Sequence, residues 1–453
     1  MGRLFGTDGV RGVANTELTC EMAYNLGRAG AYVLAQTGKH QPRILIGRDT
    51  RVSGGMLSAA LTAGICSVGA YAADAGVITT PGVAHLTRAQ GYDAGVMISA
   101  SHNPVKDNGI KFFSRDGYKL SDSLEERIEA ILLDGAEELP CPTGAEVGGV
   151  AQAPGARESY LAHCISMLGM DAGGMKVVLD CANGAASEYA PEIFAQIGCR
   201  VVATHCEPDG LNINLNCGST HPESLQKAVV QQGAAAGFAF DGDADRLIVV
   251  DEKGELVDGD QIMAIVGMHL HGKGRLPKDT VVATVMSNMG LEIALREKGI
   301  SLLRAAVGDR YVLEAMLEGG YVYGGEQSGH FIHLDDGTTG DGIVSAIRLL
   351  SILLETGKPL SELAAVVERL PQVLINVPVA NERKNNLLED ASIHAHVQAL
   401  EKEMGGTGRL LVRPSGTEAL VRVMIEGPDG EIIHRQAREL AEAIERSERA
   451  RKG

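Results

Sequence analysis

Short apolar runs of strand length alternate along the chain with longer segments of helical character. Arg43-Ile-Leu-Ile-Gly-Arg-Asp49 reads as a buried strand entering a polar turn, and a helix from about Gly55 to Val68 follows, ending at Gly69. Lys176-Val-Val-Leu-Asp-Cys-Ala-Asn-Gly184 repeats the strand and turn, with a helix ending at Gly198, and Val281-Val-Ala-Thr-Val-Met-Ser-Asn-Met-Gly290 does so again, with a helix ending at Gly299. After each glycine comes another apolar run: Ala70–Ala73, Val201–Ala203 and Ile300–Leu303. Strand, turn, helix, glycine, strand is a βαβ unit with a glycine helix stop. Three copies predict three similar α/β domains, although βαβ units are common enough for chance likeness to be an alternative.

Composition marks the boundaries. Asp134 to Arg157 is rich in Gly, Ala, Glu and Pro, as in a linker or long surface loop. A second boundary is expected near Asp251-Glu-Lys-Gly254 and a third near Leu370-Pro371, where the strand-like run Val373–Val379 starts. The last piece ends in an amphipathic helix over roughly Glu431 to Arg449 and reads as a smaller α+β domain. The expected domains are residues 1–150, 151–252, 253–370 and 371–453 of an α/β protein.

The chain has 453 residues, too many for one core, and carries a formal charge of −17 with no Trp and 4% aromatics. That field and the scarcity of stacking side chains argue against nucleic acid and anionic membranes as partners, but not against a small anionic substrate, which responds to local charge. The eight Cys show no Cys-x-x-Cys spacing, so neither a zinc site nor a thioredoxin-like motif is indicated; reduced thiols in a cytoplasmic protein are expected. No signal peptide is read at the N-terminus. Ser53 to Ala73 is uncharged but holds four Gly, three Ser and a Thr, and reads as a buried helix, not a membrane span.

Four stretches carry candidate chemistry. In Gly95–Lys111 an apolar strand ends in Ser-Ala-Ser-His-Asn-Pro, which presents Ser101 on a loop among His102, Lys106 and Lys111; an ordinary solvated turn reads the same residues equally well. In Gly237–Val250, Asp241, Asp243, Asp245 and Arg246 stand between two apolar runs. Three carboxylates at alternate positions repel one another unless a divalent cation joins them, and the flanking strands exclude an EF-hand. Tyr323–Phe331 places Glu326, Ser328 and His330 between glycines; Glu326 could accept hydrogen bonds from sugar hydroxyls, although a plain glycine-rich turn is as good a reading. Val412-Arg-Pro-Ser-Gly-Thr-Glu418 offers Arg413, Ser415, Gly416 and Thr417 as an anion nest or as a turn with a solvated arginine. Arg11, in the glycine-rich opening Arg3–Gly12, could reach a phosphate.

In this order and spacing the four stretches resemble the phosphoserine, metal, sugar and phosphate loops of the α-D-phosphohexomutase superfamily. The opening Phe-Gly-Thr-Asp-Gly-Val-Arg-Gly, Glu326-Gln-Ser328 and Arg413–Glu418 are most similar to its branch acting on glucosamine phosphates; Gln327 stands where relatives acting on glucose and mannose phosphates usually carry Met. The resemblance implies four domains around a central cleft. It also implies interconversion of glucosamine 6-phosphate and glucosamine 1-phosphate through a phosphoserine at Ser101 and a 1,6-bisphosphate, feeding UDP-N-acetylglucosamine and cell-wall precursor synthesis. One Mg²⁺ would be held by Asp241, Asp243, Asp245 and Ser101, with glucosamine or glucose 1,6-bisphosphate as primer. His102, Lys111 and Arg246 would serve catalysis, and Arg11, Glu326, Ser328, His330, Arg413, Ser415, Gly416 and Thr417 the substrate. A homodimer is left open. The rival readings are a phosphomannomutase or phosphoglucomutase on the same scaffold, and a non-catalytic sugar-phosphate-binding protein.

Overall fold

The computed structural model describes residues 3–6, 8–34, 40–384, 386–415 and 419–452. The chain divides into two units, one formed by residues 1–286 with 300–366 and the other by 287–299 with 367–453.

The larger unit contains three mixed sheets built on one topology. In the first, Arg43–Arg48, Tyr71–Val77 and Ala94–Ile98 are parallel, and Asp107–Ser114 returns antiparallel beside Ala94–Ile98. The second repeats this with Lys176–Asp180, Arg200–Thr204, Ala236–Phe240 and the returning Leu247–Asp251. The third uses Thr280–Thr284, Ser301–Ala305, Tyr323–Gly325 and Phe331–His333. In each, the spatial order is second, first, third, fourth strand. The expected βαβ unit is thus the first two strands of every sheet, and Gly69, Gly198 and Gly299 follow its helices at φ +88, +93 and +75°, where a side chain would be strained. The third strands of the first two sheets are buried at every position, which is why they read as unbroken apolar runs.

Several details differ from the sequence reading. The first helix of the pattern begins earlier, spanning Val52–Ser67. It packs on Cys20–Leu34 through glycines: a Cβ on Gly27 would come 2.4 Å from the Leu61 carbonyl oxygen, and one on Gly64 would come 2.0 Å from that of Tyr24. The second helix is broken into a 3₁₀ turn, Ala185–Glu188, and Ala190–Gln196, with Pro191 in the first turn of the latter. The stretch from Asp134 to Arg157 is not all linker. Val150–Gln152 adds a parallel strand to the edge of the first sheet, and so lies across the first expected boundary. The hairpin strand Leu256–Val257 extends the second sheet past the second. The helix Met289–Glu297 belongs to the smaller unit, where Glu426 Oε2 accepts a hydrogen bond from the Met289 amide at 3.0 Å.

In that smaller unit Leu420–Glu426 lies between Gln372–Pro378 and Arg409–Pro414, antiparallel to both. Leu440, Ala437 and Ile444, from the helix Gly430–Lys452, share a core with Val377, Val423 and Ile425. No helix among the described residues is long and apolar enough to cross a membrane, and all eight cysteines are free.

Candidate active site

Three of the four stretches occupy the same place in the repeated topology. Each is the turn from a third, parallel strand to the antiparallel fourth: after Ile98, after Phe240 and after Gly325. Each therefore opens at the carboxyl ends of parallel strands, where backbone groups are free of the ladder.

Ser101 is buried and held at φ +52°. Its Oγ donates to Asp241 Oδ2 at 2.5 Å and lies 3.3 Å from His102 Nδ1. Burial, and then Arg246 and Arg11, bring the His102 imidazole down to about 4, so at neutral pH it is uncharged and able to accept a proton. The left-handed turn is fixed from outside. Asn214 Nδ2 donates to the carbonyls of Ser101 and Asn103 at 2.9 and 3.2 Å, and Arg51 Nη2 donates to the same two at 3.2 and 2.6 Å. Arg51 is itself ion-paired with the fully buried Asp49, which accepts a hydrogen bond from Ser99 Oγ at 2.6 Å.

Asp241, Asp243 and Asp245 are buried, with ligand atoms within 4.8 Å of one another. Burial first, then the facing carboxylates of Asp245 and Asp243, push the Asp241 carboxyl well above the usual range. Burial opposes ionisation of Asp245 too, but Lys111, His330 and Arg246 outweigh it and hold that group well below. Lys111 Nζ, in the fourth strand of the first sheet, donates to Asp243 Oδ2 at 2.8 Å and to Asp245 Oδ2 at 3.4 Å. Burial disfavours its charge, yet Asp243, Asp245 and Asp8 keep its pKa above the ordinary value, so it is a cation. Thr80 Oγ1 donates to Asp243 Oδ2 at 2.5 Å, and the Arg246 amide to Asp241 Oδ1 at 3.2 Å. Asp243 Oδ1 and Asp245 Oδ1 are buried without a hydrogen-bond donor. Two orphaned carboxylate oxygens beside a third carboxylate fit a hard divalent cation.

Charge pairing runs outward from this loop. His330 Nδ1 lies 3.8 Å from Asp245, and its Nε2 is 3.3 Å from Asp309 Oδ2. Lys119 Nζ bridges Asp309 and Asp8 at 2.5 and 2.8 Å, and Arg11 lies 3.2 Å from Asp8. Five basic side chains, Arg11, Lys111, Lys119, Arg246 and His330, thus face five carboxylates, Asp8, Asp241, Asp243, Asp245 and Asp309. A phosphoserine dianion added beside these carboxylates requires further positive charge, which a divalent cation supplies.

In the third loop Glu326 Oε1 accepts from the Gly308 amide at 3.0 Å, while Ser328 is exposed, with Oγ 3.3 Å from Glu326 Oε2. Gln327 Nε2 is buried without a hydrogen-bond acceptor. Lys106 is exposed, apart from the buried cluster. In the smaller unit Arg413 stands cross-strand from Arg422, and Lys384 Nζ donates to the Ser415 carbonyl at 2.7 Å. Gly416 and Thr417 lie outside the described residues. Sequence reasoning missed Asp49, Arg51, Thr80, Lys119, Asn214 and Asp309, which support the loops from distant parts of the chain, and gave no role to Ser99, which lies within the Ser101 stretch and bonds Asp49; Asp49 fell in another segment noted as a strand-to-turn junction.

Profiles described as phosphoglucomutase/phosphomannomutase alpha/beta/alpha domains I, II and III and C-terminal domain match residues 2–138, 158–254, 258–370 and 374–443. Proteins named phosphoglucosamine mutase are similar over nearly their whole length. One from a Thermoanaerobacter species is 58% identical over 446 residues, 98% of this chain and 99% of that protein, and one from Acetivibrio thermocellus is 56% identical over 445 residues, with the same coverage. Among solved structures, a phosphoglucomutase/phosphomannomutase family protein of Burkholderia thailandensis superposes with a TM-score of 0.81 at 25% identity, covering 97% of this chain and 96% of that one. An Aspergillus fumigatus N-acetylphosphoglucosamine mutase, solved with GlcNAc-6P and magnesium, shares the fold with a TM-score of 0.67 at 17% identity, over 98% and 96% of the two chains. A buried serine bonded to a three-aspartate loop, four profiles in order and end-to-end relatives agree: the chain belongs to the phosphoglucomutase/phosphomannomutase family of the α-D-phosphohexomutase superfamily.

Proposed function

We propose that the chain is a phosphoglucosamine mutase, interconverting glucosamine 6-phosphate and glucosamine 1-phosphate with Ser101 as the phosphoryl carrier. The observation that carries this is Ser101 Oγ, 2.5 Å from the first carboxylate of a buried three-aspartate loop and 3.3 Å from a neutral imidazole. The relatives that share over half its residues support the choice of sugar.

In the working cycle the phosphorus–Oγ bond of phosphoserine 101 breaks as a sugar hydroxyl bonds to phosphorus, giving a 1,6-bisphosphate. The hydroxyl proton goes to a base, for which His102 is suited; Lys111, held as a cation, faces developing charge on the transferred group. That proton is returned to the departing Ser101 Oγ; the bisphosphate then presents its other end, its sugar oxygen–phosphorus bond breaks as Ser101 Oγ bonds to phosphorus, and the serine proton passes to the freed sugar oxygen. Asp241, Asp243 and Asp245, with the Ser101 oxygen, would hold Mg²⁺, which when bound offsets negative charge on the phosphoryl group. Arg246 and Arg11 add positive charge beside the serine. Glu326 and Ser328 are assigned to sugar hydroxyls, and His330 steadies Asp245. Arg413, Ser415, Gly416 and Thr417 are assigned to the phosphate that is not reacting, a role that rests on their motif. Glucosamine or glucose 1,6-bisphosphate would prime the serine. We assign these roles to four domains, with the first boundary moved past Gln152 and the second past Val257.

The test is a coupled assay of the primed protein on glucosamine, glucose and mannose phosphates. The expected result is the highest kcat/KM for glucosamine phosphate, with Gln327→Met reducing that preference. A preference for mannose 6-phosphate moves the chain to the phosphomannomutase reading, and no turnover with Mg²⁺ and primer supports a binding protein.

A further inference from the structure

Three ligand-type side chains outside the mutase site converge in the second sheet's loops: Asp180 at the carboxyl end of Lys176–Asp180, His205 just beyond Arg200–Thr204, and Cys217 before the 3₁₀ turn Gly218–Thr220. We propose that Asp180, His205 and Cys217 form a second metal site, for a borderline transition-metal ion of the zinc class, which fastens the loop carrying Asn214.

The ligand atoms of the three lie within 4.8 Å of one another. Asp180 is fully buried; its Oδ1 accepts from the Ala182 amide at 3.0 Å, but Oδ2 accepts no hydrogen bond. That oxygen is 3.0 Å from His205 Nδ1, and the ring nitrogen is likewise buried and unpaired by hydrogen bonding. The two atoms are close, yet the ring N–H does not aim along the line between them, so the contact is not a well-directed hydrogen bond. Two buried polar atoms this close without a directed hydrogen bond between them are positioned for a cation that stands against both.

Cys217 supplies the soft member. Its side chain is fully buried, and its sulfur accepts a long hydrogen bond from Asn183 Nδ2 at 4.0 Å. Burial, with Asp180 adding to it, pushes the thiol up to about 12, so it is protonated when no ion is bound. On binding, the sulfur–hydrogen bond gives way to a sulfur–metal bond and the proton leaves to solvent. One thiolate, one imidazole and one carboxylate select Zn²⁺ or Co²⁺ over Mg²⁺, which takes oxygen ligands, and leave a fourth position for water. The ligands come from a strand end and from the two ends of the loop between Thr204 and Gly218, and only one of them is a cysteine, which is why no short cysteine spacing announces them.

Between His205 and Cys217 lies Asn214, whose amide bonds the Ala182 carbonyl at 2.9 Å and whose side chain holds the Ser101 carbonyl. An ion joining both ends of this loop to Asp180 would therefore brace the nucleophile's turn without touching substrate.

The experiment is titration of the metal-stripped full chain with Co²⁺ in saturating Mg²⁺, followed by near-ultraviolet absorption. One equivalent should produce a thiolate-to-cobalt charge-transfer band, which Zn²⁺ displaces. Cys217→Ser and His205→Ala should each lose the band, while Cys141→Ser, at an exposed cysteine, should keep it. Zn²⁺ should also raise the thermal midpoint of the native chain and not that of Cys217→Ser. The proposal is overturned if the native chain gives no such band, which leaves Asp180 and His205 as an ordinary ion pair, or if the band survives Cys217→Ser. The first of these needs no variant to fold.

Discussion

Asn214→Ala isolates the clamp on the loop of Ser101, the proposed phosphoryl carrier. Ser101 occupies a left-handed conformation that costs an L-residue roughly 1–2 kcal/mol, so the turn persists only while its surroundings favour it. Asn214 Nδ2 supplies two of the contacts that do so, at 2.9 Å to the Ser101 carbonyl and 3.2 Å to that of Asn103. Losing such a donor removes about 1 kcal/mol net, rising toward 3 kcal/mol where a buried acceptor is left unmet. Arg51 still reaches both carbonyls, which places the loss in the lower half of that range, about 1–1.5 kcal/mol. That is close to the conformational cost of the turn, and 1.36 kcal/mol is a factor of ten in rate. We therefore expect kcat to fall about tenfold, with KM nearly unchanged because the assigned sugar and phosphate groups are on other loops. A steady-state coupled assay on primed protein, with intact mass to confirm equal phosphorylation, makes the measurement. Unaltered kcat refutes the clamp; a raised KM alone means that Asn214 acts on the sugar. Arg51→Met is a poorer probe, since it leaves the buried Asp49 without its partner, a loss of roughly 3–5 kcal/mol that threatens the fold itself.

Three further outcomes are expected. Ser101→Ala should abolish turnover and phosphorylation by primer while leaving the thermal midpoint within a few degrees; retained turnover would falsify the covalent carrier. Asp243→Asn should weaken Mg²⁺ dependence and activity together, since Asp243 also anchors Lys111 and Thr80, and EDTA should silence the native protein until Mg²⁺ is restored; activity indifferent to EDTA removes the metal from the reaction. For pH, burial first, with Asp336 opposing and Arg348 adding, lowers the buried His333 from 6.5 to about 4. Between those values the unfolded chain binds more protons than the folded one, so stability should drop as pH falls from 6.5 toward 4, and His333→Gln should flatten the drop in the thermal midpoint; an unchanged slope counts against the assignment.

What the sequence disclosed follows from locality. Asp241, Asp243 and Asp245 alternate within five residues between apolar strands, so their convergence is written in consecutive positions. The glycine stops at 69, 198 and 299 declare themselves in the same way, through a backbone angle that favours one residue type. Arg51 and Asn214 do not, because each reaches the Ser101 carbonyl from a separate part of the chain, and a buried Arg–Asp pair looks in sequence like any solvated turn. Val150–Gln152 was hidden because an exposed edge strand needs no apolar alternation. The membership of Met289–Glu297 in the smaller unit was hidden because the helix follows its strand in the βαβ order and only Glu426, far along the chain, reveals where its amide is held.

The repeated topology explains why three dissimilar motifs can make one site. One turn, from the third strand to the fourth, is used three times, and each copy carries a different chemistry: a hydroxyl at Ser101, carboxylates at 241–245, a carboxylate and hydroxyl at 326 and 328. The fourth strand or the residue just before it then returns a basic group, Lys111, Arg246 and His330 respectively. Lys111 of the first repeat is bonded to Asp243 of the second, and His330 of the third faces Asp245 of the second. The second loop is thus the acidic hub on which the bases of its neighbours converge. Such an arrangement orders the three loops only while the hub is ionised, so the groups that would bind the metal also hold the neighbours of Ser101 in place. Neutralising Asp243 and Asp245 together should for that reason loosen all three loops rather than merely empty one ligand position, and hydrogen exchange at 99–106 and 326–330 should rise with that at 241–246. Protection lost only at 241–246 would show that the loops are ordered independently.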